Sequence, residues 1–160
     1  MKTICAALML KDESKIITRC LNSIKDHIDY WVVCDTGSTD STQEIVRKEL
    51  INIPGELHQV PWKNFGYNRT QLVNLCKDKA DYLLLIDADE TLIVHNKNFK
   101  QHLSCDAYLP KFEGDMNWRL RKIINSKVKW RYEGVTHEYI TTDEETIDQI
   151  TDEISFGNYA

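Results

Sequence analysis

No stretch of this sequence is apolar for long enough to cross a bilayer, which argues against a membrane-spanning helix in the residues present. The early apolar run, Ile4 to Leu10, follows Lys2 and stops at Lys11-Asp12-Glu13. It lacks a small-residue cleavage site, so it does not read as a signal peptide. There is no surplus of positive charge either. A net charge of −5 gives no general attraction to nucleic acid or an anionic membrane, so an anionic ligand has to be held by a local arrangement. The five cysteines, Cys5, Cys20, Cys34, Cys76 and Cys105, are odd in number and never form a C-x-x-C pair. That argues against a disulfide framework and a cysteine zinc site, and leads us to expect a reducing, cytoplasmic setting. Internal repeats, linkers and low-complexity tracts are absent. What remains is an ordinary globular composition, 42% apolar and 28% charged over 160 residues, enough for one domain with a real core.

Ile4 to Leu10 is apolar throughout and predicts a strand buried on both faces. Ile16, Ile17, Cys20, Leu21, Ile24 and Ile28 recur at helical spacing and predict a helix from about Ser14 to His27. Tyr30 to Cys34 reads as a second buried strand. Ser41 with Glu44 is a capping-box signature opening a helix to about Leu50. Leu57 to Val60 follows as a strand, then a helix entered near Tyr67, then the most apolar strand, Tyr82 to Ile86. This β-α-β-α-β-α-β order predicts a parallel sheet with helices on both faces, in which ligands bind at the carboxyl ends of the strands. Three of the four strands end there in charged or polar clusters. The second half predicts a short helix at Asn96 to Leu103, then strands at Ala107 to Phe112, Trp118 to Ile124, Val128 to Tyr132 and Val135 to Ile140, as an antiparallel addition. Ile147, Ile150 and Ile154 suggest a helical face in the acidic tail, residues 141–160.

Asp87-Ala88-Asp89 follows the most apolar strand, and two carboxylates one residue apart in an extended chain point the same way. Side by side they repel unless a cation sits with them, and oxygen-only ligands favour Mg²⁺ or Mn²⁺, which bridge to substrate phosphates. Asp35-Thr36-Gly37-Ser38-Thr39-Asp40 is a turn and helix cap, with Asp35 placed to accept a ring N–H from a base. Arg69, in Trp62 to Arg69, offers a fixed cation; the bland alternative is a solvated arginine at a helix start. His137-Glu138 begins like a metalloprotease H-E-x-x-H, but position 141 is threonine, and a lone histidine is more often structural.

Together the segments Ala7 to Glu13, Val33 to Asp40, Asn68-Arg69 and Leu85 to Glu90 resemble family 2 glycosyltransferases of GT-A fold, over roughly residues 3–140. The segment around Arg119 and Val135-Thr136-His137-Glu138 look like a subgroup of that family. The resemblance implies an α/β GT-A-like nucleotide-diphospho-sugar transferase fold over residues 1–140, moving a sugar from a nucleoside diphosphate, UDP above all, to an unknown acceptor with inversion. It implies that Leu10, Lys11 and Glu13 line the nucleoside pocket, that Asp35 binds the base, and that Arg69 sits by the base or diphosphate. Asp87, Ala88 and Asp89 would contact the donor, with Asp89, Asp87 and His137 holding Mn²⁺ or Mg²⁺. An inverting transfer needs a carboxylate base, for which Glu138 and Asp115 are candidates. Family members usually continue further into an acceptor-shaping region. The expectation is therefore a minimal acceptor site, a module of a larger protein, or completion by a partner such as a second copy.

Two rival readings use the same residues. Asp87-Ala88-Asp89-Glu90-Thr91 spells the D-x-D-x-T of haloacid-dehalogenase-like phosphatases, but that motif belongs near the start of a core, with a lysine and an acidic pair after it. A nucleotide-sugar-binding module without turnover is the reading outside enzymology.

Overall fold

In a computed structural model, residues 1–114, 118–134 and 137–158 are described. The elements run β1 (Ile4–Leu10), α1 (Ile17–Ile24), β2 (Tyr30–Asp35), α2 (Thr42–Glu49), β3 (Gly55–Gln59), α3 (Phe65–Leu75), β4 (Tyr82–Leu85) and β5 (Glu90–Val94). A 3-10 turn at Phe99–His102 leads to β6 (Ala107–Phe112), β7 (Ile123–Asn125), β8 (Arg131–Glu133), β9 (Tyr139–Thr141) and β10 (Asp148–Asn158). Eight strands form one sheet in the order β3-β2-β1-β4-β7-β6-β10-β5, and β8-β9 form a small separate pair. The first four are parallel, β7 runs antiparallel to β4 and β6, and β10 lies parallel to β6 and antiparallel to β5. This is a mostly parallel sheet with an antiparallel addition, the arrangement that the resemblance implies.

Side chains alternate across a strand, and β1 shows the result. Ile4, Ala6, Leu8 and Leu10 pack with Ile17, Leu21 and Ile24 of α1 and Val46 of α2. Cys5 and Ala7 face the other way, toward Leu72 and Val73 of α3 and Trp130. The helix on the first face is shorter than its apolar spacing predicts. Glu13 O accepts from Ile16 N and Ile17 N, so α1 starts only after that turn. The parallel register sets Leu10 opposite Asp35 and Ala7 opposite Leu85, which brings the carboxyl ends of β1, β2 and β4 to one edge.

The structure corrects the sequence reading elsewhere as well. Ser41 makes no side-chain cap on α2. Asp40 does that work, its Oδ1 accepting from Thr42 N at 3.0 Å and also from the Thr42 hydroxyl. Glu90–Val94, which the acidic motif obscured, is a strand. The stretch expected as one strand from Trp118 narrows to Ile123–Asn125, with an isolated bridge between Arg119 and Lys111. The tail is a strand and not a helix: Ile147 and Ile150 are exposed, while Ile154 and Phe156 are buried between β6 and β5. Three isoleucines at helical spacing weighed less than two sheet edges with unpaired backbone groups.

Candidate active site

The carboxyl edge carries a cleft of about 600 Å³, lined by Leu10, Lys11 and Glu13 after β1, Thr36 after β2, Trp62, Phe65 and Arg69 at α3, and Asp87, Ala88 and Asp89 after β4. Each lining residue reaches it through a local device. Asp12 adopts a left-handed conformation (φ 52°) that turns the chain between Lys11 and Glu13, a conformation Asp tolerates better than most residues. Its loop is tied to the next: Asp12 N donates to Ser38 Oγ at 2.8 Å, and Thr39 N donates to Asp12 Oδ1 at 2.8 Å.

Asp87 to Glu90 is a turn, not the extended dipeptide expected. Glu90 N donates to Asp87 O at 3.0 Å, and Asp87 N donates to Glu90 Oε1 at 2.8 Å. The Cys20 thiol donates to Asp87 O at 3.4 Å. Beneath the turn, Lys122 Nζ donates to Glu90 Oε1 at 2.8 Å, with the two side chains 9% and 5% exposed. Lys122 also lies 5.7 and 5.0 Å from the ring centres of Phe112 and Phe156. A buried pair of this kind contributes little net stability but is costly to break on one side. Here it holds the acid turn in place.

Arg69 Nη1 donates to Asp87 Oδ1 at 3.0 Å. Glu138 Oε1 lies 3.2 Å from Arg69 Nε but off the N–H direction, so the Nε–H makes no hydrogen bond. Burial pushes the Asp87 carboxyl up, but Lys122 and then Arg69 more than reverse this, holding it below the ordinary carboxylate value. The Asp87 side chain keeps 40% exposure although protein atoms surround it, as expected at the floor of a concavity. Glu13 is shifted the other way, raised first by burial and then by Asp89, Asp40, Asp87 and Asp12. Carboxylates thus converge on Glu13, and Asp89 among them has no ion-pair partner among the described residues, a chemistry that fits a divalent cation beside Asp89.

A second cavity of about 340 Å³ adjoins the first, lined among others by Arg119, Arg121, Lys122, Tyr132, Glu138 and Tyr139. Arg69 and Asp87 line both. Gly134, at φ +101°, lies against the backbone that bears Glu138: a Cβ on it would lie 2.8 Å from His137 O and 3.2 Å from Glu138 Cα.

Most of the residues singled out in the sequence thus meet. Leu10, Lys11, Glu13, Arg69, Asp87, Ala88 and Asp89 share the cleft, and Glu138 stands in the adjoining cavity. Two described residues do not join them. Asp35 is 1% exposed and is not on the lining. Its Oδ2 accepts from Gly37 N, Ser38 N and Gln43 Nε2, and its Oδ1 from the Ser38 hydroxyl, so its oxygens are occupied by its own loop. These bonds outweigh burial and lower its pKa. Thr36, one residue on, faces the cleft instead; strand alternation gives the signal that separates the two. His137 is exposed and on neither lining, and among the described residues no three of His, Cys, Asp and Glu converge to hold an ion. Asp115 lies outside the described residues.

Sequence comparison over residues 7–96, more than half of the chain, matches Glycosyl transferase family 2. The chain belongs to this family. It is 27% identical over 148 residues to the SPbeta prophage-derived glycosyltransferase SunS of Bacillus subtilis, covering 85% of this chain and 34% of SunS. It is 33% identical over 92 residues to an uncharacterized glycosyltransferase of Rickettsia felis, covering 58% of this chain and 30% of that protein. The chain therefore spans about a third of the length of these relatives. Among solved structures, S. aureus TarS 1-349 in complex with UDP superposes with a TM-score of 0.58 at 23% identity, over 72% of this chain and 37% of that one. TarS in complex with UDP-GlcNAc gives 0.57 at 23% identity, over 72% and 36%. Among the described residues no helix is long and apolar enough to cross a membrane.

Proposed function

We propose that this chain is a glycosyltransferase that binds the nucleoside diphosphate of a sugar donor along the larger cleft and passes the sugar to a hydroxyl presented from the smaller one. The observation that carries the reading is the Arg69–Asp87 pair, which lines both cavities beside Asp89. Arg69 holds a cationic edge where the departing diphosphate gathers charge, and a guanidinium suits a bidentate phosphate contact. Leu10 and Thr36 bound the nucleoside end, with Lys11 and Glu13 at the rim. Asp35 acts on the nucleoside through the Thr36 loop that it braces.

Asp89 would hold Mn²⁺ or Mg²⁺, an ion whose charge would offset that of the leaving diphosphate. In an inverting transfer, the acceptor oxygen attacks the anomeric carbon, the carbon–phosphate-oxygen bond breaks toward the diphosphate, and the hydroxyl proton passes to a carboxylate. Glu138 is placed for that proton in the smaller cavity, and Asp115 is the alternative base. UDP is the nucleotide of choice, supported by the TarS complexes with UDP and UDP-GlcNAc. A reducing, cytoplasmic setting accords with five free cysteines, four of them buried.

The test is calorimetry of the chain with UDP, with and without Mn²⁺, followed by UDP release from a panel of UDP-sugars. Metal-dependent binding that Asp89→Asn abolishes is expected. No binding of any nucleoside diphosphate with either metal overturns the reading, and binding without transfer or hydrolysis from any sugar donor leaves a binding module in its place.

A further inference from the structure

The larger cleft has an aromatic wall that the residues assigned so far do not use. Trp62 and Phe65 line it while remaining 47% and 46% exposed. Their ring centres are 4.8 Å apart and their planes cross at 81°. These exposed rings are fixed from beneath. Asn68 is wholly buried, and its Oδ1 accepts from Lys63 N at 2.8 Å and Asn64 N at 3.2 Å. Its Nδ2 donates to Pro61 O at 3.0 Å. Asn64 then caps α3, accepting from Tyr67 N at 2.8 Å. One buried amide therefore grips the backbone on both sides of Trp62, up to the residue before Phe65. A satisfied buried polar group of this kind rigidifies what it holds, and rigid apolar surface binds with less ordering cost.

The strand order decides which end of the cleft this wall occupies. Across the sheet run β3, β2, β1 and β4. Trp62 follows β3, Thr36 follows β2, and Asp87 and Asp89 follow β4, so the chain enters the wall from the β3 side of the sheet and the acid turn from the β4 side. In a nucleotide sugar the diphosphate lies between base and sugar. With the diphosphate against Arg69 and Asp89, the sugar continues toward the smaller cavity and the base extends toward β3. Every base presents a π-face, and aromatic side chains stack on it without regard to its edge.

We propose that Trp62 and Phe65 form the base-stacking wall of this cleft, and that Asn68 is the positioning residue that holds them. The inference rests on the donor reading above and assigns the β3 end of the cleft to the base, not to the sugar or acceptor.

Calorimetry of the full chain with Mn²⁺, using UDP and inorganic pyrophosphate as paired probes, tests it. Trp62→Ala and Phe65→Ala should each weaken UDP about tenfold and leave pyrophosphate unchanged, with unaltered melting temperatures. Trp62→Phe should recover most of the loss. Asn68→Asp, which keeps the acceptor oxygens and loses the donor to Pro61 O, should also weaken UDP selectively. In a Trp62→Ala/Phe65→Ala background it should add no further loss. A parent that binds UDP while both alanine variants bind it equally well overturns the stacking wall alone. So does an equal loss of UDP and pyrophosphate. A parent that binds no nucleoside diphosphate overturns the donor reading and this inference with it.

Discussion

Arg69 Nη1 sits 3.0 Å from Asp87 Oδ1, and this one ion pair is the partition between the two cavities. The same guanidinium has an Nε–H without a hydrogen bond, 3.2 Å from Glu138 but off its line. A buried donor left unmade costs free energy, so the Arg69–Asp87 bond is held at the expense of the Nε–H, which has no solvent exposure.

Removing that cation should be felt on both sides. Arg69→Ala is expected to weaken metal-supported UDP binding by about 1.5–3 kcal/mol, the range for a hydrogen bond to a charged group. It should also raise the Asp87 pKa, because Arg69 is one of the groups holding it down. Arg69→Lys should recover only part, since an ammonium lacks the planar fork. Calorimetry with UDP and NMR titration of Asp87 report the two effects; unchanged UDP affinity in Arg69→Ala would remove this residue from the donor site.

The Lys122–Glu90 pair should behave as a unit. Lys122→Met leaves Glu90 buried and uncompensated, and about 3–5 kcal/mol of stability should be lost. Adding Glu90→Gln, whose Oε1 still accepts from Asp87 N, should restore most of it. Urea unfolding of the four members of the cycle measures the coupling, and simple additivity would show that the pair does not brace the turn.

Glu13 should cost the unliganded protein stability at neutral pH. Its folded pKa is raised, so the folded state holds the proton more tightly than the unfolded one and stability falls as pH rises through that window. Glu13→Gln should therefore raise the melting temperature by about 2 °C at pH 7. It should also shrink the further rise that Mn²⁺ brings. Thermal melts with and without Mn²⁺ check this; a destabilised Glu13→Gln would contradict it.

Glu56 predicts the acid limb of the stability curve. Lys79, then Tyr30 and His58, hydrogen-bond to it and hold its pKa down to about 2. A depressed carboxylate contributes stability above its unfolded value, which is lost as pH falls through the folded one. Stability should thus decline between about pH 4.5 and 2, and Glu56→Gln should flatten that slope in urea titrations. An unchanged slope would show that other carboxylates govern it.

The parallel half was legible because a strand buried on both faces leaves a continuous apolar run, and Ile4 to Leu10 and Tyr82 to Leu85 do so. The acid turn and Arg69 were legible because charge directly after such a run stands out. The motif drew attention to the Asp35 carboxylate, whereas the pleat buries it in its own loop and turns Thr36 toward the cleft. Trp62 and Phe65 went unassigned because their role depends on the strand order, which local periodicity does not contain. The tail was misread because its partners, β5 and β6, lie far back in the chain.

That last strand has a consequence for biosynthesis. Asn158 to Ile154 pair with Glu90 to Val94, and Phe156 supplies one of the rings around Lys122. In the sheet, β5 is an edge strand whose neighbour is β10. A ribosome adding about 5–20 residues per second makes the acid turn some seconds before it makes the brace. Through that interval the nascent chain carries every described residue of the larger cleft while the strand leaving its acid turn has no partner in the sheet. Donor binding should therefore switch on late, with the emergence of β10, and a ribosome-stalled chain ending before Asp148 should have the residues of the cleft without its affinity.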